Sequence, residues 1–427
     1  MKQGEEYLQQ KQWEQAKQAF LRVVDIKQDY APAYRGIGLS ARGQAFEQLG
    51  KPEHKFDRHL LEEAIEELSR AFRLGDYTPE TVWALHWSLR NVSNIDGIIE
   101  ILKRYAENAP NLEQEFLARH YIVDEYSLIR EHEEAVRWHK DLLEKMQNKV
   151  SPEKLLSSLS DATMLRSWKE CGLLSEWTLL SNGLYSKLED TYDTCVYRAN
   201  YLRALMEAVY VPAGRFEEAL ETCDKLKAIV EKYAEQWVEA RWFLADIRGG
   251  LLSIYHSTEC KDLEEQIVID GKQYLLDYEN WITESSISSI KSEEVYKDPL
   301  SGKEEVSSLF DLHWQYYIFS IHDFACMCMW TGHYKDAVEL FEKALAIGDN
   351  AETHFFLAGS ILKATGDVEK SLDHFRQAIE NPFFSRRHEL KLAFLEEATF
   401  KDVWDNERFI SLIEIEEQKE VQQVKNQ

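Results

Sequence analysis

The closest pair of cysteines, Cys326 and Cys328, is the first place to look for chemistry, because thiolates are good metal ligands. The segment around them is apolar and helical in pattern, and residues two apart on a helix point to different faces. We therefore predict two small buried side chains here rather than a shared metal. The other cysteines are Cys171, Cys195, Cys223 and Cys260. They are scattered and show no disulfide framework, which favours a reducing compartment.

Motifs for catalysis are missing or uninformative. The chain has no HExxH, no phosphate-binding glycine loop, no GxGxxG after a strand and no GxSxG. Its 13 histidines are dispersed along the sequence. An SxxK pattern occurs in three unrelated settings, so it indicates nothing: Ser151/Lys154, Ser288/Lys291 and Ser360/Lys363. We predict that the protein is not an enzyme and has no catalytic residue, cofactor site or metal site.

Charge and hydropathy restrict the classes of partner. The 427 residues include 76 Asp and Glu against 50 Lys and Arg, which gives a net charge of −26. A general nucleic-acid binder is not expected, since phosphate contacts need clustered cations. A partner with a basic surface is favoured instead. With no apolar signal core at the N-terminus and no run of about 18 apolar residues, we predict a soluble, cytoplasmic protein without membrane contact.

Residues 324–382 contain two segments that match each other at an offset of 34 residues. Apolar residues over 337–347 recur with helical spacing, and both glycines fall where a first helix must end. The small residues predict close approach of two antiparallel helices, and the phenylalanines predict a wedge between successive pairs. The matched positions are Ala325/Gly359, Cys328/Leu362, Gly332/Gly366, Ala337/Ser371, Phe341/Phe375 and Ala344/Ala378.

This pattern resembles the tetratricopeptide repeat (TPR), a helix-turn-helix unit of about 34 residues. The resemblance implies an all-α fold, a right-handed α-solenoid in which several repeats are degenerate. It is good over residues 1–40, 192–230 and 309–382 and loose between them. The C-terminal stretch from Leu390 is expected to be helical, and within it residues 395–400 followed by 404–409 are similar to the segments that close TPR arrays, since solenoid ends need a polar cover.

The pattern along the chain predicts five regions. N-terminal TPR-like repeats occupy 1–150, with an insertion near 43–59, and degenerate helical repeats occupy 151–283. A serine-rich, charged loop or linker is expected over 284–308. The last two regions are a TPR pair with its cap over 309–413 and a polar tail over 414–427.

The resemblance also implies a binding surface, because the first helix of each TPR pair lines the groove of the array. Groove positions in the C-terminal pair predict an aromatic and Met-rich surface that suits an apolar helix or extended peptide. Trp330 and Phe356 are its candidate anchors; the alternative is that these aromatics only pack against neighbouring helices. The candidate partner-binding residues are Phe319, His322, Met329, Trp330, Phe356 and Lys363, with Arg35 and Arg42 for an acidic partner near the other end.

Two functions from different classes follow. The first is a non-catalytic scaffold or adaptor that holds a peptide or protein partner in the groove. Its groove departs from the Lys/Asn-rich set with which some TPR domains bind chaperone tails, so that partner is not predicted. The second is an acidic protein of the immunity or antitoxin type that neutralises a basic effector, for which the support is the net charge of −26.

Overall fold

The computed structural model describes residues 1–46, 57–92, 94–234, 237, 239–285, 293–297, 304–348, 350–381 and 390–425. The fold is all-α, built from TPR-like antiparallel helix pairs, as predicted, with one pair of short strands in the described part. The chain forms two compact units. Unit 1 comprises Met1–Glu189 and Val295–Glu305, and unit 2 comprises Asp190–Glu294 and Val306–Gln427. In the described residues, no helix is both long and apolar enough to span a bilayer.

In unit 1 each helix packs mainly against its neighbours in sequence, until α9–α11, where α10 packs on α7 and α8 while α9 packs on α11. The helices are α1 (Lys2–Gln9), α2 (Trp13–Ile26), α3 (Ala31–Phe46), α4 (Arg58–Arg73), α5 (Pro79–Asn91), α6 (Ile95–Asn108), α7 (Leu112–Leu128), α8 (His132–Met146), α9 (Pro152–Ser160), α10 (Ala162–Glu170) and α11 (Leu174–Tyr185).

Unit 2 repeats the same plan, and α14 also packs on α16. Its helices are α12 (Tyr192–Leu205), which continues into a π-helical turn (Met206–Tyr210), α13 (Phe216–Tyr233), α14 (Ala240–Ser257), α15 (Lys261–Ser285), α16 (Leu309–Trp330), α17 (Tyr334–Ile347), α18 (Ala351–Thr365), α19 (Val368–Glu380), α20 (Leu390–Glu396), a 3₁₀ turn (Ala398–Val403) and α21 (Glu407–Lys425).

Short polar side chains fix where several of these helices begin. Asn350 accepts hydrogen bonds from the backbone N–H groups of Glu352 and Thr353 at the start of α18. Asp367 accepts one from Lys370 at the start of α19. Each such N-cap stabilises a helix by about 1 kcal/mol, since it satisfies a donor that has no partner within the helix.

The 34-residue register is confirmed in the strongest pair of repeats. Gly332 and Gly366 have φ values of +85° and +71°, the left-handed conformation that glycine adopts without strain, and each lies between two helices. The side chains at the small positions are all buried, as the close approach of the helices requires: Ala337, Ala344, Ser371 and Ala378.

The predicted aromatic wedges are also present. Phe375 is fully buried, and its ring centroid lies 6.0 Å from that of Phe355, 5.5 Å from Phe400 and 5.2 Å from Phe409. It therefore joins α19 to the 3₁₀ turn and to α21, the segment predicted to cap the repeats. Near the N-terminus, Phe20 packs so tightly on the glycines of α1 and α3 that a methyl group at Gly4 or Gly36 would come within 2.7 Å of its ring.

The predicted loop over 284–308 needs correction. Helix α15 continues to Ser285, and β1 (Glu293–Lys297) pairs with β2 (Glu304–Ser308). Each strand carries a valine at its centre, a residue that favours strands, whereas the proline and glycine that suggested a loop fall between the strands in sequence. The rest of that segment lies outside the described residues.

Two further expectations about the organisation also change. The chain divides into units at 189/190 rather than 150/151, because α10 packs back on α7 and α8. The expected polar tail over 414–427 is helical through Lys425, and the buried side chains of Phe409, Ile413 and Glu416 hold the first part of α21 in place. Of the predicted insertion near 43–59, residues 47–56 lie outside the described part.

Candidate interaction surface

One side of α16 exposes large aromatic side chains. Phe319, Asp323, Cys326 and Trp330 follow one another at intervals of four, three and four residues, which places them on one face of the helix. Phe319 is 50% exposed and Trp330 is 56% exposed. The two are about 16 Å apart along the helix axis. We call Phe319, His322 and Trp330, with the buried Phe356 behind them, the aromatic face.

The structure brings three of the predicted residues together in this face. The ring of Trp330 meets that of Phe356 edge-on, with centroids 6.3 Å apart. His322 lies 5.9 Å from Phe356 by the same measure, and its Nδ1 is 3.0 Å from the hydroxyl of Thr353. Burial lowers the pKa of His322, so its imidazole is neutral at pH 7. The face is thus held rigidly by neutral contacts between α16 and α18.

Other predicted residues have internal partners. Met329 and Phe356 are 1% and 5% exposed, so they pack within unit 2, and Phe356 supports Trp330 from below. Lys363 forms an ion pair with Asp402 in the 3₁₀ turn near the end of the array. Met329, Phe356 and Lys363 thus make contacts within the chain, and their role in partner binding remains a prediction.

Arg35 and Arg42 belong to unit 1. Arg35 pairs with Asp76 at 3.2 Å and donates to the hydroxyl of Thr78, which ties α3 to the start of α5. Arg42 lies over the ring of Phe46, 5.0 Å from its centroid, and burial lowers the pKa of its guanidinium. Arg35 therefore serves an internal contact. Its role in binding an acidic partner, like that of Arg42, remains a prediction.

Sequence reasoning missed a polar cluster that lies beside the aromatic face. The Nε of Arg203 lies 3.4 Å from Glu207 and 3.1 Å from Asp246, and its guanidinium stands 5.1 Å from the ring of Trp242. The indole N–H of Trp242 donates to Asp323, 3.0 Å away. We call Arg203, Glu207, Trp242, Asp246 and Asp323 the acidic recess. Asp323 belongs to the same face of α16 as Phe319, so the two surfaces are continuous.

A local irregularity positions one member of the recess. Helix α12 ends in a π-helical turn, in which the backbone N–H of Val211 bonds to the carbonyl of Met206 at 3.0 Å. Glu207 lies in this turn, next to Arg203 on the preceding α-helical turn. Such π-helical turns are rare and are frequent at functional sites, where they redirect a side chain.

Burial and mutual repulsion govern the charges of the recess. Desolvation raises the pKa of Asp246 to about 8, although Arg203 opposes the shift. For Arg203, burial favours the neutral form, but Asp246 and Glu207 outweigh it and raise its pKa. Arg203 therefore stays charged, while Asp246 keeps its proton at pH 7, so the three acidic side chains of the recess do not all carry charge at once.

A sequence signal for the recess exists in retrospect. Trp242 and Asp246 are four residues apart, as are Phe319 and Asp323, so an aromatic residue one turn before an aspartate occurs on two first helices. The residues span about 120 positions of the chain, partly where the repeat register is loose. Without the register, nothing in the sequence places α12, α14 and α16 side by side.

Comparison with known proteins gives no family and no function. No family model matches the chain, and no curated protein matches it. Among solved structures, it resembles Naa15/Naa10 bound to HypK-THB with a TM-score of 0.35 and 14% identity, over 93% of this chain and 66% of that one. The chain thus spans just under two thirds of that structure's length.

Two further solved structures are TPR proteins. A tetratricopeptide repeat protein from Parabacteroides merdae matches with a TM-score of 0.37 and 11% identity, over 76% of this chain and 98% of that one. The TPR domain of P58(IPK) matches with a TM-score of 0.23 and 13% identity, over 99% and 98%. These scores are low, so the TPR-like character of this chain rests on its own helix pairs and 34-residue register.

Proposed function

We propose that the protein is a non-catalytic interaction scaffold that holds a peptide or protein partner against the aromatic face of unit 2. The observation that carries the proposal is the pair Phe319 and Trp330, each about half exposed on one side of a helix that buries Tyr317 and Phe324. Large aromatic side chains supply much of the binding energy at protein interfaces. Phe341 and Phe356, both buried, hold the site from within.

The spacing fits an extended segment of a partner. A peptide in extended conformation rises about 3.3 Å per residue, so about five residues would reach from Phe319 to Trp330. A rigid face reduces the entropy lost on binding, and the contacts of Trp330 and His322 with Phe356 provide that rigidity. The binding energy would then come mainly from apolar burial, which salt weakens little.

The experiment is a pull-down from an extract of the native cells, with the tagged full-length protein and with Phe319→Ala/Trp330→Ala, washed at low and high salt. Ile269→Ala/Leu263→Ala is the matched control, since both residues are exposed apolar side chains of α15. A partner that resists high salt, is lost with the first variant and stays with the control supports the proposal. A partner that both variants retain contradicts it.

The second candidate is the acidic neutraliser of a basic effector, which the net charge of −26 and the acidic recess favour. A complex led by charge weakens as salt shortens the Debye length, which is about 8 Å at 0.15 M and about 3 Å at 1 M. Loss of the partner at high salt, with little effect of the aromatic variant, would favour this function over the scaffold.

A further inference from the structure

We propose that the acidic recess binds a cationic side chain, lysine or arginine, of the same partner segment that packs on the aromatic face. The inference rests on the proposed function and names the chemistry of the ligand. It depends on three separate observations: the charge balance of the recess, an unused buried acceptor, and continuity with the aromatic residues of α16.

The charge balance is unequal. The recess contains three acidic side chains, Glu207, Asp246 and Asp323. In the described part of the chain, Arg203 is the cation that lies within ion-pair distance of Glu207 and Asp246. The hydrogen-bond donor to Asp323 is the neutral indole of Trp242. With Asp246 protonated at pH 7, Glu207 and Asp323 still outnumber Arg203, so a cation fits the recess better than an anion does.

The unused acceptor belongs to Asp246. Its side chain is about nine-tenths buried, and its Oδ2 accepts no aligned hydrogen bond, although the Nε of Arg203 lies 3.1 Å away. A buried carboxylate oxygen without a hydrogen bond is costly, and native structures generally supply a donor for such an atom. An incoming ammonium or guanidinium group carries several donors and would satisfy it.

The recess opens to solvent at Glu207, whose side chain lies in the π-helical turn and is 43% exposed. Asp323 connects the recess to Phe319, one helical turn away on α16. A partner segment that places an apolar residue on Phe319 would thus bring a neighbouring side chain to the recess. We expect a motif of one cation and one or two apolar residues within a few positions of each other.

The test uses a random library of 12-residue peptides displayed on phage, selected on the full-length chain. Three variants are selected in parallel: Glu207→Gln/Asp246→Asn for the recess, Phe319→Ala/Trp330→Ala for the aromatic face, and Glu221→Gln/Glu231→Gln as a control. The control replaces the same number of acidic side chains at exposed positions of α13. Glu207→Gln alone is included, since its half-exposed site tolerates substitution and keeps the test valid if Asp246→Asn does not fold.

The inference predicts that wild-type and control select peptides with an apolar residue and a lysine or arginine at fixed spacing. The recess variant should keep the apolar residue and lose the cation. Selection of apolar peptides without a conserved cation would overturn the inference about the recess but would still agree with the proposed scaffold function. Failure to enrich any peptide, or equal enrichment by the aromatic variant, would count against the scaffold itself.

A selected peptide then allows a double-mutant cycle between peptide and protein, with binding affinity measured by fluorescence anisotropy. Replacing its arginine with neutral citrulline, or its lysine with norleucine, should weaken binding to the wild-type at least tenfold and change binding to the recess variant little. An equal loss for both proteins would mean that the cation binds elsewhere, and the inference would be wrong.

Discussion

Unit 1 contains a polar cluster built from the same chemical groups as the acidic recess of unit 2, and the two differ in access. In unit 1 the side chains of His86 and Glu125 are fully buried, with His86 Nε2 3.1 Å from Glu125 Oε1. The same oxygen accepts from Arg90, 3.1 Å away, and Arg90 also lies 3.7 Å from Asp124. The guanidinium of Arg90 also stands 5.7 Å from the centroid of the Trp87 ring.

In unit 2 the corresponding groups are open on one side. Glu207 is 43% exposed, and Arg203 contacts two carboxylates from α14 and the π-helical turn rather than closing over them. Both arginines contact two carboxylates, and each cluster holds a buried carboxylate oxygen without a hydrogen bond, Glu125 Oε2 or Asp246 Oδ2. The clusters differ in exposure: Glu125 is fully buried, so its cluster is closed and joins helices, whereas Glu207 is 43% exposed, so its cluster is open to a ligand.

The largest expected effect is on the closed cluster. Glu125→Ala should destabilise unit 1 by about 3–5 kcal/mol, because the fully buried His86 loses its hydrogen-bond partner and the partly exposed Arg90 loses an ion pair. Hydrogen exchange of α5 and α7 amides measures this, since it reports on unit 1 separately. Glu134→Ala is the control: its exposed pair with Arg137 is worth about 1 kcal/mol or less. Equal effects would remove the distinction between the two clusters.

A smaller effect concerns pH and Asp246. Folded Asp246 keeps its proton up to a pKa of about 8, while in the unfolded chain an aspartate ionises near pH 4. Because the folded state then binds more protons, stability falls as pH rises between these values. The groups that face Asp246 are Arg203, Glu207 and Asp323, with Cys223 from α13.

Urea unfolding at pH 6 and pH 8.5 measures this dependence. Asp246→Asn should flatten it by on the order of 2 kcal/mol, since asparagine does not titrate. An arginine-containing peptide selected on the wild-type should also bind more tightly at pH 8.5 than at pH 6, because it competes with protons for the recess. A pH dependence identical in wild-type and variant would mean that Asp246 is not the titrating group.

Within unit 2, replacing an exposed aromatic side chain should destabilise the protein less than replacing a buried one. Trp330→Ala should cost about 1 kcal/mol or less, as surface substitutions usually do, whereas Phe356→Ala should cost about 3–5 kcal/mol through lost burial and a cavity. Thermal unfolding of the two variants measures the difference. Similar losses would indicate that Trp330 is a packing residue, which would weaken the case for the aromatic face.

The smallest effect on stability is expected at Glu207. Glu207→Gln should change the free energy of unfolding by about 0.5 kcal/mol or less, because the side chain is half exposed and outside the apolar core. Its effect on binding a cationic peptide should be far larger than its effect on unfolding. A loss of stability comparable to that of Glu125→Ala would place both clusters in the same structural role.

The fold followed from the sequence where the repeat signal was strong. Phe341 and Phe375 mark the wedges because small residues and a helix-ending glycine stand at fixed distances around them, and both are fully buried. Among the predicted partner-binding residues, Trp330 is 56% exposed and Met329 is 1% exposed, and the role of both stays a prediction. The two differ in exposure because adjacent helix positions point about 100° apart and groove positions border the core.

The remaining features depend on long-range packing that sequence periodicity does not encode. The strands of 293–297 and 304–308 lie in a stretch whose serine, proline and glycine content is typical of loops. The acidic recess needs α12, α14 and α16 in register, and the π-helical turn that presents Glu207 has no signature in the residues 206–210. Isolated acidic residues on helices are usually solvated, so composition alone could not select these three.

The central claim, that the aromatic face of α16 holds the partner, is tested most directly by photo-crosslinking in the native cells. A benzophenone amino acid placed at Phe319 is compared with one placed at Ile269, which is 61% exposed on α15. The account predicts that one protein is crosslinked from position 319 and not from position 269, with a cationic and apolar segment at the linked site. Crosslinking from position 269 alone, or of the same protein equally from both positions, would contradict it.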